Sequence, residues 1–509
     1  MKVAITGSTG KVGQGVIYEA LENTSYQLRL IDVREPTKRI NDERVEYVMA
    51  DLRDYRAFED ALAGTDALIH LAVGGHKGAP PFESQDVHNS MVVMSYNALQ
   101  AAANLGMRYV VLASSINAIG ALFSVEPKYE KQILEIQAAA FARRYPHMSI
   151  SSLRFHFVTS KKPNYGDRID SDISKDMWGW TDLRAAGRAC VLALEVEWTG
   201  AEVLYIVGPE HCADGHSALD LAARFYPKTK VASSMRAESG VARAIPPMHV
   251  VVTGSSGSLA DGLIAVALAS TTHTLTLVDH RPPPDNQRIS NPRIKYETLD
   301  LRDYASFARV IKGADGLIHL AAYAQPYLST PDVIHNTNVT LSFNALQAAA
   351  DAGVRYVVLA SSVNAIGGAY SQDRNIKYEY FPVDEQHPYF TDEPYALSKQ
   401  IAEIQAIAFA RAYPDMTISC FRFHHVVPTK KCMQGPESIR KNSRDLWGWT
   451  ESGAAGRACL LALEADWTGA EIFYAIGEEH CVPGGNAEAM AKEFFPSAVL
   501  RTRLEPGQG

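Results

Sequence analysis

Val3–Ile17 reads VAITGSTGKVGQGVI, and Val250–Ile264 reads VVVTGSSGSLADGLI. Each begins as a strand-like apolar run, breaks into a glycine-punctuated turn and opens a helical pattern. Gly7, Gly10 and Gly13 space the first turn; Gly254, Gly257 and then Ala260 space the second. Glycines there permit a tight turn, and the helix behind it presents unpaired N–H groups and a positive dipole end to a pyrophosphate. An acidic residue closes the next strand in both places, Asp32 in LRLID and Asp279 in LTLVD. A carboxylate at that point accepts both ribose hydroxyls and repels a 2′-phosphate, which favours NAD over NADP. Arg34 and Arg281, two residues further on, soften that preference and leave NADP open.

The repeat extends over the whole chain. Tyr109–Gly120, YVVLASSINAIG, returns as Tyr356–Gly367, YVVLASSVNAIG, and the six Trp fall into the pairs Trp178/Trp447, Trp180/Trp449 and Trp198/Trp467. Gly7/Gly254, Asp32/Asp279 and Ser115/Ser362 are displaced by 247, whereas Lys131/Lys399 and Arg154/Arg422 are displaced by 268, so the first copy lacks 21 residues between Gly120 and Lys131. A period near 250 is far too long for a solenoid unit, so each copy is expected to be a self-standing domain. The expected boundaries are 1–236 for the first domain, 237–247 for a linker within RAESGVARAIPP, and 248–509 for the second.

Short apolar runs such as VAIT, LRLID, EYVM, ALIHLAV, YVVLAS and SISSLRF alternate with longer helical patterns. Strands apolar on both faces and joined by helices make a parallel sheet covered on each side. The expected fold class is α/β: two tandem doubly wound parallel-sheet (Rossmann) domains, each with a small C-terminal substrate-binding part. Asp51-Leu52 in ADLRD and Asp300-Leu301 in LDLRD follow the third strand, where an adenine lies; equally, they open the next helix, with Asp54 and Asp303 as caps.

Of 509 residues, 47% are hydrophobic and 21% charged, and the net charge of −8 repels a polyphosphate backbone, which argues against nucleic acid as a partner. Six cysteines without a C-x-x-C pair point to a reducing compartment rather than to a disulfide framework. MKVAITGSTG runs directly into a strand, and no run of about 18 apolar residues follows, so a cytoplasmic protein without a membrane partner is expected.

Together TGxxGxxG, SSVNAIG and YALSK resemble the extended short-chain dehydrogenase/reductases, the NAD-dependent epimerase/dehydratase family, over both copies almost end to end. The resemblance implies a catalytic Ser362, Tyr395 and Lys399, with Asn338 as the structural and proton-relay Asn. The residues agree with it. Tyr395 and Lys399 lie four apart and share a helix face. An ammonium beside the phenol is expected to lower its pKa from about 10 toward the working pH. Ser362 can hold the reacting oxygen while a hydride moves. With 23 Tyr, about one Tyr-x-x-x-Lys arises by chance, so its place after SSVNAIG carries the weight. The expected cofactor contacts in this copy are Gly254, Ser256, Gly257, Ser258, Leu259, Asp279, Asp300, Leu301, Ala321, Tyr395 and Lys399. In the first copy they are Gly7, Gly10, Gly13, Asp32, Asp51 and Leu52.

The first copy departs from the pattern where chemistry is expected. EPYALSKQIAEIQ becomes EPKYEKQILEIQ, so Tyr129 and Lys131 are two apart and point to different faces. Met91 replaces Asn338, and RFHHVVP becomes RFHFVTS, losing His425 and Pro428. A non-catalytic domain follows, and its intact glycine turn leaves open whether it holds a cofactor.

The short C-terminal part fits a small substrate, and among compact members of the family the chain looks most like uronate dehydrogenase. That likeness implies an Arg anchoring a substrate carboxylate, here Arg422. Val363 departs from the polar residue expected there, and Arg154 in the first copy gives Arg422 an equal structural reading. The expected substrate contacts are Ser362, Asn364, Arg422 and His425. His211-Cys212 and His480-Cys481 lack further ligands at metal spacing and read as packed loops, so no metal is expected. Trp-Gly-Trp-Thr reads as packing and helix entry, with Thr181 and Thr450 as N-caps, ahead of a lid over the substrate. YNALQAAANLG and SFNALQAAADAG are amphipathic helices which, by the resemblance, build an intrachain pseudo-dimer, with further oligomers open; a face used within one domain is the alternative.

Three functions compete. One is an NAD-dependent oxidoreductase acting on a small hydroxylated substrate such as a sugar or uronic acid. The second is an epimerase or dehydratase that recycles its NAD, and the third is a non-catalytic NAD-binding sensor or scaffold.

Overall fold

The computed structural model describes residues 1–73, 84–115, 118, 130–161, 180–206, 247–284, 288–371, 378–433, 438–464, 467–477, 480–482 and 485–501. Tyr129, Trp178, His211, Cys212 and linker residues 237–246 lie outside them. The chain divides into two compact units, Met1–Ala244 and Ile245–Gly509.

The first unit contains β1 (Lys2–Thr6), β2 (Gln27–Asp32), β3 (Val45–Met49), β4 (Ala67–His70), β5 (Tyr109–Ser115), β6 (Ser149–Phe155), β7 (Phe157–Thr159), β8 (Trp180–Asp182) and β9 (Gly200–Ile206). Its main sheet runs β3-β2-β1-β4-β5-β6-β9 with every pair parallel. The second unit contains β10 (His249–Thr253), β11 (Thr274–Asp279), β12 (Ile294–Thr298), β13 (Gly316–His319), β14 (Tyr356–Ala360), β15 (Tyr380–Phe381), β16 (Thr417–Phe423), β17 (His425–Val427), β18 (Trp449–Glu451), β19 (Gly469–Ala475) and β20 (Val499–Leu500). Its main sheet, β12-β11-β10-β13-β14-β16-β19, has the same order and is again all parallel. β4, β13 and β16 are buried at every residue, as central strands covered on both faces must be. In each sheet the order reverses beside the first strand, so a crevice opens at the carboxyl ends of β1 and β4, and of β10 and β13.

The helix Ser258–Ser270 is held to Ser452–Ala462 at Gly262 and Gly456. A Cβ on Gly456 would stand 2.6 Å from the backbone nitrogen of Leu263, so these backbones meet with nothing between them. That contact ties the C-terminal part of the unit to the helix behind the glycine turn. Pro331–Ala352, which carries SFNALQAAADAG, packs on Pro394–Ala412, with Phe343 and Phe409 edge to face at 5.5 Å.

Two capping expectations need correction. Thr181 and Thr450 spend their hydroxyls on the carbonyls of Ile206 and Ala475, both at 2.6 Å. The helix caps are the carboxylates one residue later, Asp182 and Glu451, because a carboxylate reaches two amides of the first turn. Trp447 is buried against Phe494 and Phe495, a packing role rather than a lid. His480 and Cys481 are buried in the same C-terminal region. Among the described residues no helix is long and apolar enough to cross a membrane.

Candidate active site

Gly254 has φ +69°, a left-handed conformation that favours glycine, and a Cβ there would sit 2.6 Å from the amide nitrogen of Ala321. The turn thus lies directly on the end of β13. Ser256, Gly257 and Ser258 are exposed and Leu259 half-buried at the mouth, and the helix Ser258–Ser270 begins at Gly257 without a side-chain cap. Asp279, at the tip of β11, accepts the Ser256 amide at 3.0 Å and the His280 amide at 2.8 Å, which aims its carboxylate along the turn. These features fit a dinucleotide: backbone free of side chains, uncapped helix N–H groups, and a carboxylate at the ribose position.

Beside the crevice, Asp300 is tied to Arg302 at 2.6 Å, which holds its carboxyl below the usual range. The pair Asp51–Arg53 in the first unit repeats this at 2.6 Å. Leu301 and Leu52 point into the core, their carbonyls taken by the side-chain amides of Asn344 and Asn97. Asp303 and Asp54 cap the following helices, as one of the two sequence readings has it.

The three residues expected to perform chemistry come together. Ser362 ends the segment after β14; its hydroxyl accepts the Asn364 amide at 3.1 Å and lies near enough to the Tyr395 phenol to favour its ionised form. Glu393 caps the helix Pro394–Ala412, accepting the amides of Tyr395 at 2.7 Å and Ala396 at 2.6 Å, so the helix start that carries Tyr395 is fixed. One turn on, Lys399 places Nζ 5.9 Å from the centre of the Tyr395 ring and donates to the Ala360 carbonyl at 2.6 Å.

The electrostatics correct the expected acidification. Burial pushes the Tyr395 phenol above its ordinary value; the Ser362 hydroxyl opposes this, while Tyr370, Glu393 and Asp445 add to it. The Lys399 ammonium, engaged on Ala360, does not reverse it, and burial pulls Lys399 itself down to about 8. The pair is therefore a protonated phenol beside an easily discharged amine.

Asn338 and Asn364 act as clamps. The Asn338 amide takes the Tyr323 N–H at 2.7 Å and donates to the Tyr323 carbonyl and to Ser398 Oγ, each at 3.0 Å, which pins the loop after β13 to the Tyr395 helix. Asn364 Oδ1 accepts the Ala369 amide at 2.9 Å.

Arg422 is the main correction. It is fully buried, and its five N–H groups face Glu403 Oε1 at 2.9 Å, Glu403 Oε2 at 2.8 Å, Tyr389 at 3.0 Å, and Tyr474 and the Glu385 carbonyl at 3.4 Å. A guanidinium so occupied has nothing left for a substrate carboxylate. Arg154 and Glu135 repeat the pair in the first unit at 2.7 Å. His425 is exposed on β17, and its backbone amide goes to the Asp445 carboxyl.

Sequence reasoning missed Glu403, Tyr370 and Asp445. Glu403 lies four residues beyond Lys399, on the same helix face, and also takes the Ser361 hydroxyl at 2.5 Å, so its spacing was a usable signal. The Tyr370 ring packs edge-on against Tyr395 at 5.8 Å. Burial pushes Asp445 up to about 7. Neither of these two lies at a telling spacing.

Among curated relatives, the NAD-dependent glucose-6-phosphate dehydrogenase of Haloferax volcanii is 32% identical over 126 residues, 23% of this chain and 45% of the relative. Cinnamoyl-CoA reductase 1 of Petunia hybrida is 30% identical over 129 residues, 24% of this chain and 38% of the relative. A putative UDP-glucose 4-epimerase of Methanocaldococcus jannaschii is 27% identical over 193 residues, 37% of this chain and 60% of the relative. The chain thus spans only 38–60% of the length of these relatives. A solved structure described as a mutated uronate dehydrogenase aligns at TM-score 0.34 and 21% identity, over 41% of this chain and 74% of its own. A sequence profile of the NAD dependent epimerase/dehydratase family matches residues 3–167 and 250–441, a stretch in each unit that together cover most of the residues, and the chain belongs to that family.

Proposed function

We propose that the unit Ile245–Gly509 is an NAD-dependent oxidoreductase acting on a small, hydroxylated, sugar-like substrate. The observation that carries this reading is Tyr395 and Lys399 one turn apart on the helix Pro394–Ala412, Nζ 5.9 Å from the centre of the phenol ring, with Ser362 near enough to act on the phenol, beside a crevice suited to NAD. Gly254, Ser256, Gly257 and the first turn of Ser258–Ser270 would hold the pyrophosphate, and Asp279 the adenosine ribose. Bound there, NAD supplies a nicotinamide that accepts or returns a hydride.

The chain's own groups do the rest. Tyr395, protonated at neutral pH, gives its proton to a carbonyl oxygen; in the reverse direction its phenolate takes the proton of the alcohol. Ser362 hydrogen-bonds the same oxygen and fixes its position. Lys399 lies one helical turn beyond the phenol, Nζ 5.9 Å from the ring centre. Asn338 keeps the Tyr323 loop and the Tyr395 helix in register. With Arg422 spent on Glu403, the substrate needs hydroxyls rather than a carboxylate.

The test is a screen of sugars, uronates and small alcohols with NAD and NADP, following NADH or NADPH absorbance, with Tyr395→Phe as control. Net reduction of the nucleotide that disappears in the control supports the oxidoreductase. Conversion of a sugar without net NADH supports recycling within the site, the second reading, which the relatives named UDP-glucose 4-epimerase favour. No response to any compound, with NAD still bound, supports the sensor or scaffold.

The first unit, in this proposal, performs no chemistry. Met91 stands where Asn338 does, and no Tyr lies four residues before Lys131.

A further inference from the structure

The first unit has lost one half of the site and kept the other. Lost are the proton-transfer groups: the residue four before Lys131 is Pro127, and the clamp Asn338 has become Met91. What is kept follows the second unit in its turn, its strand-end carboxylate and its threonine–histidine contact. Gly7 has φ +66° with a Cβ position 2.8 Å from the Ala72 amide nitrogen, as Gly254 has against Ala321. Gly13 adds a second close approach, its Cβ position 2.6 Å from the Gly7 carbonyl oxygen. The helix Lys11–Asn23 starts at Gly10 without a side-chain cap. Asp32 accepts the Thr9 amide at 3.0 Å, the distance found between Asp279 and Ser256. Thr6 Oγ1 meets His70 Nδ1 at 2.9 Å, as Thr253 meets His319 at 2.8 Å.

Lys131 decides the matter. It donates from Nζ to the Ala113 carbonyl at 2.6 Å, the contact Lys399 makes with Ala360. Burial pulls it down to about 8, against the charges of Glu130 and Glu135, which hold it up. A desolvated ammonium is costly unless its donors find partners. An ammonium has three donors, and Ala113 takes one, as Ala360 takes one from Lys399. Ribose hydroxyls of a nicotinamide nucleotide would accept what remains.

We infer that the unit Met1–Ala244 holds a second NAD(H) that is bound but not turned over, so that each chain carries two dinucleotides and one reaction centre. This rests on the second crevice being an NAD site. A nucleotide bound to the folded unit alone stabilises it by mass action, so this unit's stability follows the NAD concentration.

Calorimetric titration of the full chain with NADH tests it. The expected stoichiometry is two per chain, unchanged in Tyr395→Phe, and one in the double variant Asp32→Ala, Lys131→Met. The double variant Asp279→Ala, Lys399→Met should also bind one. Each double variant keeps the other unit's site, which serves as an internal standard for folding. A wild-type stoichiometry of one, lost with Asp279 and Lys399, overturns the inference and leaves the proposed function standing. Two sites that persist in Asp32→Ala, Lys131→Met also overturn it. No binding at all removes both readings together.

Discussion

Arg422 and Glu403 meet as a two-point ion pair with both side chains wholly inside the second unit, Nε to Oε1 at 2.9 Å and Nη2 to Oε2 at 2.8 Å. Removing one partner strands the other charge in a low-dielectric interior, which costs about 3–5 kcal/mol. Arg422→Ala should therefore lower the melting temperature of the second unit sharply. Arg154→Ala should cost the first unit less, since that guanidinium is 16% exposed. An Arg422 variant that kept its melting temperature and lost affinity only for acidic substrates would restore the carboxylate-anchor role.

Gly254 and Gly257 should respond differently to the same methyl group. Gly254→Ala forces a left-handed residue and pushes a Cβ onto Ala321, so stability and NAD affinity should fall together, by about 1–2 kcal/mol from the backbone strain alone. Gly257→Ala meets nothing closer than 3.5 Å within the protein. Its melting temperature should hold while NAD binding weakens, because the space lost belongs to the pyrophosphate. Thermal melts paired with NADH titrations separate the two.

The catalytic pair sets a direction for pH. Raising pH through about 8 discharges Lys399, and the Tyr395 phenol loses its proton only later, since burial holds it above its ordinary value. Oxidation of an alcohol needs a group that takes a proton, so kcat/KM in that direction should climb between about pH 7 and about pH 10. Carbonyl reduction, which needs the phenol protonated, should hold over the same span, because burial keeps the proton on Tyr395. Tyr395→Phe should reduce both by about 10²–10⁴-fold while leaving NADH affinity in place.

Four buried histidines weaken the fold in acid. His70, His88, His319 and His335 are buried, and desolvation drives each down to about 3. In the unfolded chain they take up protons below about pH 6.5, while in the folded chain they stay neutral until about pH 3. Between those limits the unfolded state binds more protons, so stability falls as pH falls, by roughly 1.4 kcal/mol per unit for each histidine. Urea midpoints measured from about pH 7 to about pH 4 should decline steadily, and His319→Gln should flatten the slope.

The elements that the sequence made legible are those whose cause is local. A run such as YVVLA is apolar on both faces wherever it lies, and a glycine turn followed by an acidic strand end is written in consecutive residues. Tyr395 and Lys399 were visible because one helical turn separates them. Partnerships between elements were not visible. Whether Arg422 is free depends on Glu403, which approaches from a different element, and no pattern around either residue says that the guanidinium is already spent. The phenol's proton affinity was misjudged for a related reason: spacing shows that a lysine is near, while burial, the largest influence here, comes from packing between elements, and Tyr370 and Asp445 add their charges from distant segments. Lys131 is a further case, since its contact with the strand-end carbonyl of Ala113 joins two elements and no spacing within its own helix announces it.

The shared strand has a cost when the chain assembles. β5 and β14 both carry Tyr-Val-Val-Leu-Ala, each in the middle of its seven-stranded sheet. A chain diluted from denaturant thus offers either nascent sheet two interchangeable inserts from one polypeptide, and tethering keeps the wrong one always within reach. Strand-exchanged traps, slow to unscramble and independent of protein concentration, are the characteristic hazard of such a duplication.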